Sequence, residues 1–199
     1  AILAASAILV KVIGAIYRTP LGNILSDEVM ADYNSAYNIY NFFLTISTAG
    51  LPVALSKTIS EANALGRPNQ VQRTFRVAFI TFLILGLISF FCMTVLAAPM
   101  AQIVISNPKA VYCVMALAPS VLCVCIMSAF RGYFQGHFNM MPTGISQVIE
   151  AFFKLVVGLA LALFLVNVIQ KPELGSVGAI IGVSCGSVVA LLYILYLFF

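Results

Sequence analysis

Residues 33–61 read YNSAYNIYNFFLTISTAGLPVALSKTISE, and this stretch organises the rest of the chain. Taken as a helix, it sets Asn34, Asn38, Asn41, Thr45 and Thr48 at alternating steps of four and three, which return to one helical face. The remaining faces carry Ile39, Phe42, Phe43, Leu44 and Ile46, suited to lipid or to neighbouring helices. Ala49-Gly50-Leu51-Pro52 follows. Pro52 has no N–H for the carbonyl of Thr48, so the helix is expected to kink beside Gly50. A membrane helix with a polar stripe and a mid-span break faces a wet cavity or a bundle interior. The simpler alternative is that the amides bond neighbouring helices as packing contacts.

Composition defines the solvent. Hydrophobic residues make up 62% of the chain and charged residues 8%, with a mean hydropathy of +1.09. A soluble domain carries about 25% charged residues, so this chain cannot cover itself with a hydrated surface. The apolar runs are long and continuous, which favours helices over the alternating strands of a barrel. The fold class expected is therefore an all-α integral membrane protein. A net charge of +4, scattered along the chain, gives no nucleic-acid footprint. The five cysteines lie in apolar spans and there is one histidine, His137, so neither a disulfide framework nor a metal site is expected. No cofactor motif or catalytic constellation is legible either.

Six crossings fit the sequence, over about 2–18, 34–60, 77–98, 111–130, 143–168 and 174–199. Each is near the ~20 residues that span a bilayer. Between them, residues 19–32 read as a connection with Pro20, Gly22 and Asn23 as turn formers. Leu65-Gly66-Arg67-Pro68-Asn69 reads as a turn, and residues 131–139 as a loop ending at Pro142. Pro99, Ser106-Asn107-Pro108 and Lys171-Pro172-Glu173 mark the other connections. Lys57, Arg67, Arg73, Arg76 and Arg131 gather on alternate connections, which predicts a cytoplasmic N-terminus. Ala1 lies inside one apolar run and Phe199 inside another, as expected for a piece of a longer membrane protein.

Charges inside spans each need an account, because an unpaired ionised group in hydrocarbon costs several kcal/mol. Lys11 has no acid at i±3 or i±4, and Arg18 lies two turns further on much the same face. Both can be interfacial side chains reaching for headgroups, or cations lining a cavity. Glu150 and Lys154 stand at i and i+4 in the order that favours an ion pair, with Gln147 one turn earlier. They read as a self-neutralised bridge or as a cavity-facing pair that exchanges partners. Arg131 is expected at the cytoplasmic boundary. Gly14, Gly158 and the run Gly178, Gly182, Gly186 read as close-packing sites for helices.

Three blocks carry a family resemblance. Residues 11–22 (KVIGAIYRTPLG), residues 36–40 with 47–61 (AYNIY and STAGLPVALSKTISE), and residues 131–150 (RGYFQGHFNMMPTGISQVIE) resemble the stage V sporulation protein B group of polysaccharide-biosynthesis proteins. That group lies in the multidrug/oligosaccharidyl-lipid/polysaccharide exporter superfamily and is related to lipid II flippases. The resemblance implies two lobes of six helices around a central cavity, with this chain as the N-terminal lobe and a C-terminal lobe as its partner. It implies a non-enzymatic, multi-pass protein of the bacterial cytoplasmic membrane. Its substrate would be an undecaprenyl-diphosphate-linked glycan, flipped by alternating access for peptidoglycan or spore-wall polysaccharide. Flippases of this kind carry cavity arginines on the first helix, where this chain has Lys11 and Arg18. Substrate-binding candidates are thus Lys11, Arg18, Asn34, Asn38, Asn41, Thr45, Glu150 and Lys154, with Gly50 and Pro52 as the hinge. The alternatives are a multidrug or cation antiporter of the same superfamily, a membrane-embedded polysaccharide polymerase, and a non-transporting scaffold.

Overall fold

Eight helices form in the computed structural model, which describes residues 2–48, 50–100, 111–167 and 175–199. They are α1 (Ile2–Ile24), α2 (Asp27–Thr48), α3 (Leu51–Ala64), α4 (Pro68–Val95), α5 (Ala97–Met100), α6 (Val111–Gly136), α7 (Met141–Asn167) and α8 (Gly175–Phe198). There is no strand among the described residues. Six helical spans are long and apolar enough to cross a membrane, with α2 and α3 together supplying one of them. The chain is a multi-pass, all-α membrane protein. Connections expected at residues 106–108 and 171–173 lie outside the described residues.

Several helices outrun their expected ends. α1 continues through Pro20 to Ile24, because Leu21 and Leu25 bury fully against the core and hold the backbone past the proline. α6 continues through Arg131 to Gly136, so most of the stretch expected as a loop is helix. The reason is packing. A Cβ on Gly132 would stand 3.1 Å from the Pro52 carbonyl, and one on Gly136 only 2.7 Å from Ile59 Cβ, so these glycines seat α3 directly on α6.

The expected break after Thr48 is a change of helix. Gly50 takes φ 72°, in the left-handed region that a glycine enters without a Cβ penalty, and caps α3. Pro52 then sits in the first turn of α3, where an N–H would have no partner within the helix. At the other end Gly66 is also left-handed, and the Arg67 N–H reaches back to the Ala62 carbonyl at 3.0 Å. This Schellman closure turns the chain straight into α4.

α6 is the central element. It packs on α2, α3 and α4 on one side and on α8 on the other, and most of its residues are buried. Pro119 interrupts its ladder, and α8 supplies polar contacts there: Ser184 donates to the Ala116 carbonyl at 2.5 Å and accepts from Ser120 at 2.9 Å. α8 lies on α7 through the ridge of Gly178, Gly182 and Gly186. A Cβ on Gly182 would collide with the Gly158 backbone, and one on Gly186 would stand 2.6 Å from the Glu150 carbonyl. In lipid, where apolar burial between helices drives little, such backbone approach is the main source of van der Waals contact. α1 is the outermost helix. It leans on α7 and is tied to α8 by Tyr17, whose hydroxyl passes Gly158 and donates to the Ala179 carbonyl at 3.1 Å.

Candidate functional site

A cavity of about 520 Å³ opens between α1, α2 and α7. Its polar lining is Lys11 and Tyr17 from α1, Tyr37 from α2, and Gln147, Glu150 and Lys154 from α7. The residues from α1 and α7 fall at steps of three and four, so each helix turns one face to the cavity. Gly14 belongs to this face. It has open space where a Cβ would stand, so it widens the cavity and is not the close-packing site expected of it.

Glu150 and Lys154 do not pair along α7 as the spacing suggested; each turns to another helix. Glu150 accepts from Arg131 Nη2 of α6 at 3.1 Å, while Arg131 Nε donates to Ser146 Oγ at 3.0 Å. The planar guanidinium thus grips two successive turns of α7, a geometry an ammonium cannot reproduce. Arg131 is a largely buried fastener between α6 and α7. Lys154 Nζ donates to the Tyr37 hydroxyl at 3.1 Å and lies 4.5 Å from the Tyr37 ring centroid and 5.4 Å from that of Tyr17. Two aromatic faces stabilise a cation that, among the described residues, no carboxylate holds directly. Tyr33 and Tyr40, buried in the core, back Tyr37, their rings 5.8 Å and 5.4 Å from its own.

Lys11 makes no hydrogen bond or ion pair with the described residues. The site's charges are Lys11, Lys154 and Arg131 against Glu150, so the cavity carries an excess of positive charge. Such a site favours an anion and repels a cation.

The other candidates stand elsewhere. Arg18 is exposed on α1 beyond the cavity, and Asn34 is half-buried. Asn38, Asn41 and Thr45 are exposed on α2 and do not line this cavity, and Phe42 and Ile46 are exposed beside them. α2 has two polar faces, and the bundle takes the one with Tyr33, Tyr37 and Tyr40. Tyrosine rings offer large areas to pack and end in hydroxyls that can meet Lys154, while the short amides cannot do both. Tyr17, Tyr37 and the inward grip of Arg131 were not anticipated. The i, i+4, i+7 spacing of the three α2 tyrosines was the available signal.

The comparisons with known proteins agree with this architecture. The profile of the family described as polysaccharide biosynthesis protein matches residues 1–199. The chain is 30% identical to the lipid II flippase MurJ of Bacillus subtilis (strain 168), over 92% of this chain and 36% of MurJ. It is also 30% identical to stage V sporulation protein B of the same organism, over 99% of this chain and 38% of that protein. It therefore spans little over a third of the length of these curated relatives. Among solved structures, an outward-facing multidrug resistance transporter of the MATE family, in the MOP superfamily, superposes with a TM-score of 0.79 at 18% identity. A MOP-superfamily transporter from Pyrococcus furiosus gives 0.79 at 17% identity. Both matches cover 100% of this chain and 44% of the other. The fold is that of one part of these transporters, and the match along its whole length makes this chain a member of the polysaccharide biosynthesis protein family.

Proposed function

We propose that this chain is the N-terminal lobe of a flippase for an undecaprenyl-diphosphate-linked glycan, lipid II or another polysaccharide precursor. It would work by alternating access in the bacterial cytoplasmic membrane, with its N-terminus in the cytoplasm, serving cell-wall or spore-wall synthesis. The observation that carries this reading is the cation excess of the cavity, with Lys11 unpaired among the described residues and Lys154 held by Tyr37 and faced by Tyr17. A diphosphate headgroup cannot enter hydrocarbon without neutralising charge, and two ammonium groups at the same cavity wall supply it. Arg131 screens Glu150 from behind, so the one acid in the lining does not cancel that attraction. Moving the headgroup requires binding and reorientation, with no covalent step. The outward-facing amides Asn38 and Asn41, with Thr45, are placed to meet sugars in the space between this lobe and a second. Gly50 provides the swivel by which α2 can reorient on α3. A cation-exporting antiporter of the same superfamily would favour an acidic lining, which this cavity lacks.

The test uses the full-length protein in liposomes containing a fluorescent undecaprenyl-diphosphate-linked sugar, with an impermeant quencher outside. Wild type should move the label, and Lys11→Gln or Lys154→Gln should slow it at least tenfold while folding is retained. Full transport by the double variant would refute the cation cavity. Absence of transport by folded wild-type protein, together with export of a cationic drug, would favour the antiporter.

A further inference from the structure

A second concavity, a groove of about 760 Å³, runs between α3 and α4 and shares no lining residue with the cationic cavity. Its floor is apolar in a way the sequence conceals. Thr58 and Thr81 donate their hydroxyls to the Ala54 and Val77 carbonyls of their own helices, at 3.0 and 2.9 Å, and this leaves their methyls to face outward. Small side chains along both helices, Ala54 and Ala78 among them, leave the trough unfilled. Its two ends differ. Leu51 and Phe82 close the deep end, near the Gly50 break, while Asn69, Gln70 and Arg73 ring the other. Arg67, in the turn between the two helices, stands exposed at the same end as Arg73, with Glu61 near the end of α3 as the acid. From Asn69 to Phe82 the groove follows about 20 Å of α4 at ~1.5 Å per residue. One leaflet of hydrocarbon is about 15 Å deep.

We propose that this groove holds one anionic phospholipid, its phosphate at Arg73 and one acyl chain lying along Ala54, Ala78 and Phe82. The combination argues for a lipid over a soluble ligand: an apolar trough one leaflet deep, capped at headgroup level by a guanidinium and two amides. Charge argues for an anionic one, because the basic residues around the mouth outnumber the single acid. A phospholipid wedged there would support α3 on the side opposite α6, and so bear on the part of the chain that Gly50 frees to move.

The experiment places full-length protein in vesicles of phosphatidylcholine doped with either photoreactive phosphatidylglycerol or photoreactive phosphatidylcholine, and maps adducts by mass spectrometry. Adducts of the phosphatidylglycerol probe should concentrate on residues 51–82, above the density on the exposed outer face of α1 around Ile8, Val12 and Ile16. Arg73→Gln should lower the preference for phosphatidylglycerol over phosphatidylcholine about fivefold, the effect of one basic side chain at a charged surface. Ala54→Phe, at an exposed position that disturbs no core contact, should abolish groove adducts of both lipids and leave those on α1 unchanged. Groove labelling no denser than on α1, or equal labelling by the two lipids that ignores Arg73→Gln, would overturn the proposal. So would loss of labelling on adding unlabelled undecaprenyl diphosphate, which would make the groove a substrate site.

Discussion

Replacing Gly182 with alanine puts a methyl group where, of all the glycines, a Cβ has least room. The new Cβ would overlap the Gly158 backbone and lie 3.1 Å from the Lys154 carbonyl, where ordinary contact begins at 3.4 Å. Both close partners are backbone atoms, so no side chain can swing away and α8 must retreat from α7 by roughly 1 Å. A gap of that size forfeits up to about half of each dispersion contact along the ridge. Overpacking of this kind costs about 1–3 kcal/mol, against which a helical Gly→Ala change gains about 0.8–1 kcal/mol in propensity. Gly14→Ala isolates the second contribution, since nothing stands within 4 Å of its Cβ. The two variants should therefore move stability in opposite directions, or at least differ by about 1–3 kcal/mol. Reversible unfolding of full-length protein in bicelles by SDS titration, followed by circular dichroism, measures the difference. If Gly182→Ala is as stable as Gly14→Ala, the α7–α8 ridge is not the close contact described, and the placement of Glu150 and Lys154 on it loses its support.

In the same unfolding assay, a double-mutant cycle on Arg131→Gln and Glu150→Gln should give a coupling of about 1–2 kcal/mol, reduced by the partial exposure of Glu150. Strict additivity would show that the two groups do not meet. Gly50→Ala should cost about 1–2 kcal/mol because its φ of 72° crowds a Cβ against the backbone, while Pro52→Ala stays within about 1 kcal/mol. Equal effects would remove the left-handed junction from the account. Tyr37→Phe keeps the ring over Lys154 and removes the hydroxyl, so the liposome assay should record a loss of only a few fold. Lys154→Gln should exceed it by about tenfold, and a reversal of that order would place the essential contact on the tyrosine.

How far the sequence could be read differs from element to element. The span around residues 77–98 follows from unbroken apolar length, which any bilayer imposes on any chain. The break at Gly50-Leu51-Pro52 follows from one missing N–H and one missing Cβ, both properties of single residues. The helical course of Arg131–Gly136 did not follow from composition, because its glycines look like turn formers until Ile59 and Pro52 are brought against them. The same applies to Pro20, a turn former by type, which the burial of Leu21 and Leu25 keeps inside or beside a helix.

For the site, the residues at stake were legible but their partners were not. Lys11, Glu150 and Lys154 stand out in the sequence because each is an ionisable group amid apolar neighbours, and hydrocarbon makes every such group an exception needing a reason. Spacing along one helix offered Glu150 to Lys154, and that was all a one-dimensional pattern could offer. Tertiary structure decided otherwise, since Arg131 of α6 reaches Glu150 and Tyr37 of α2 reaches Lys154 across gaps that no periodicity records. Likewise α2 presents two polar faces to any reader, and only the packing of its tyrosines against the bundle selects which one turns inward. Membrane class, span number and the break in the second span are thus local consequences of single residues and apolar runs. The pairing of charges, the cationic sign of the cavity and the groove between α3 and α4 exist only once separate helices are laid side by side.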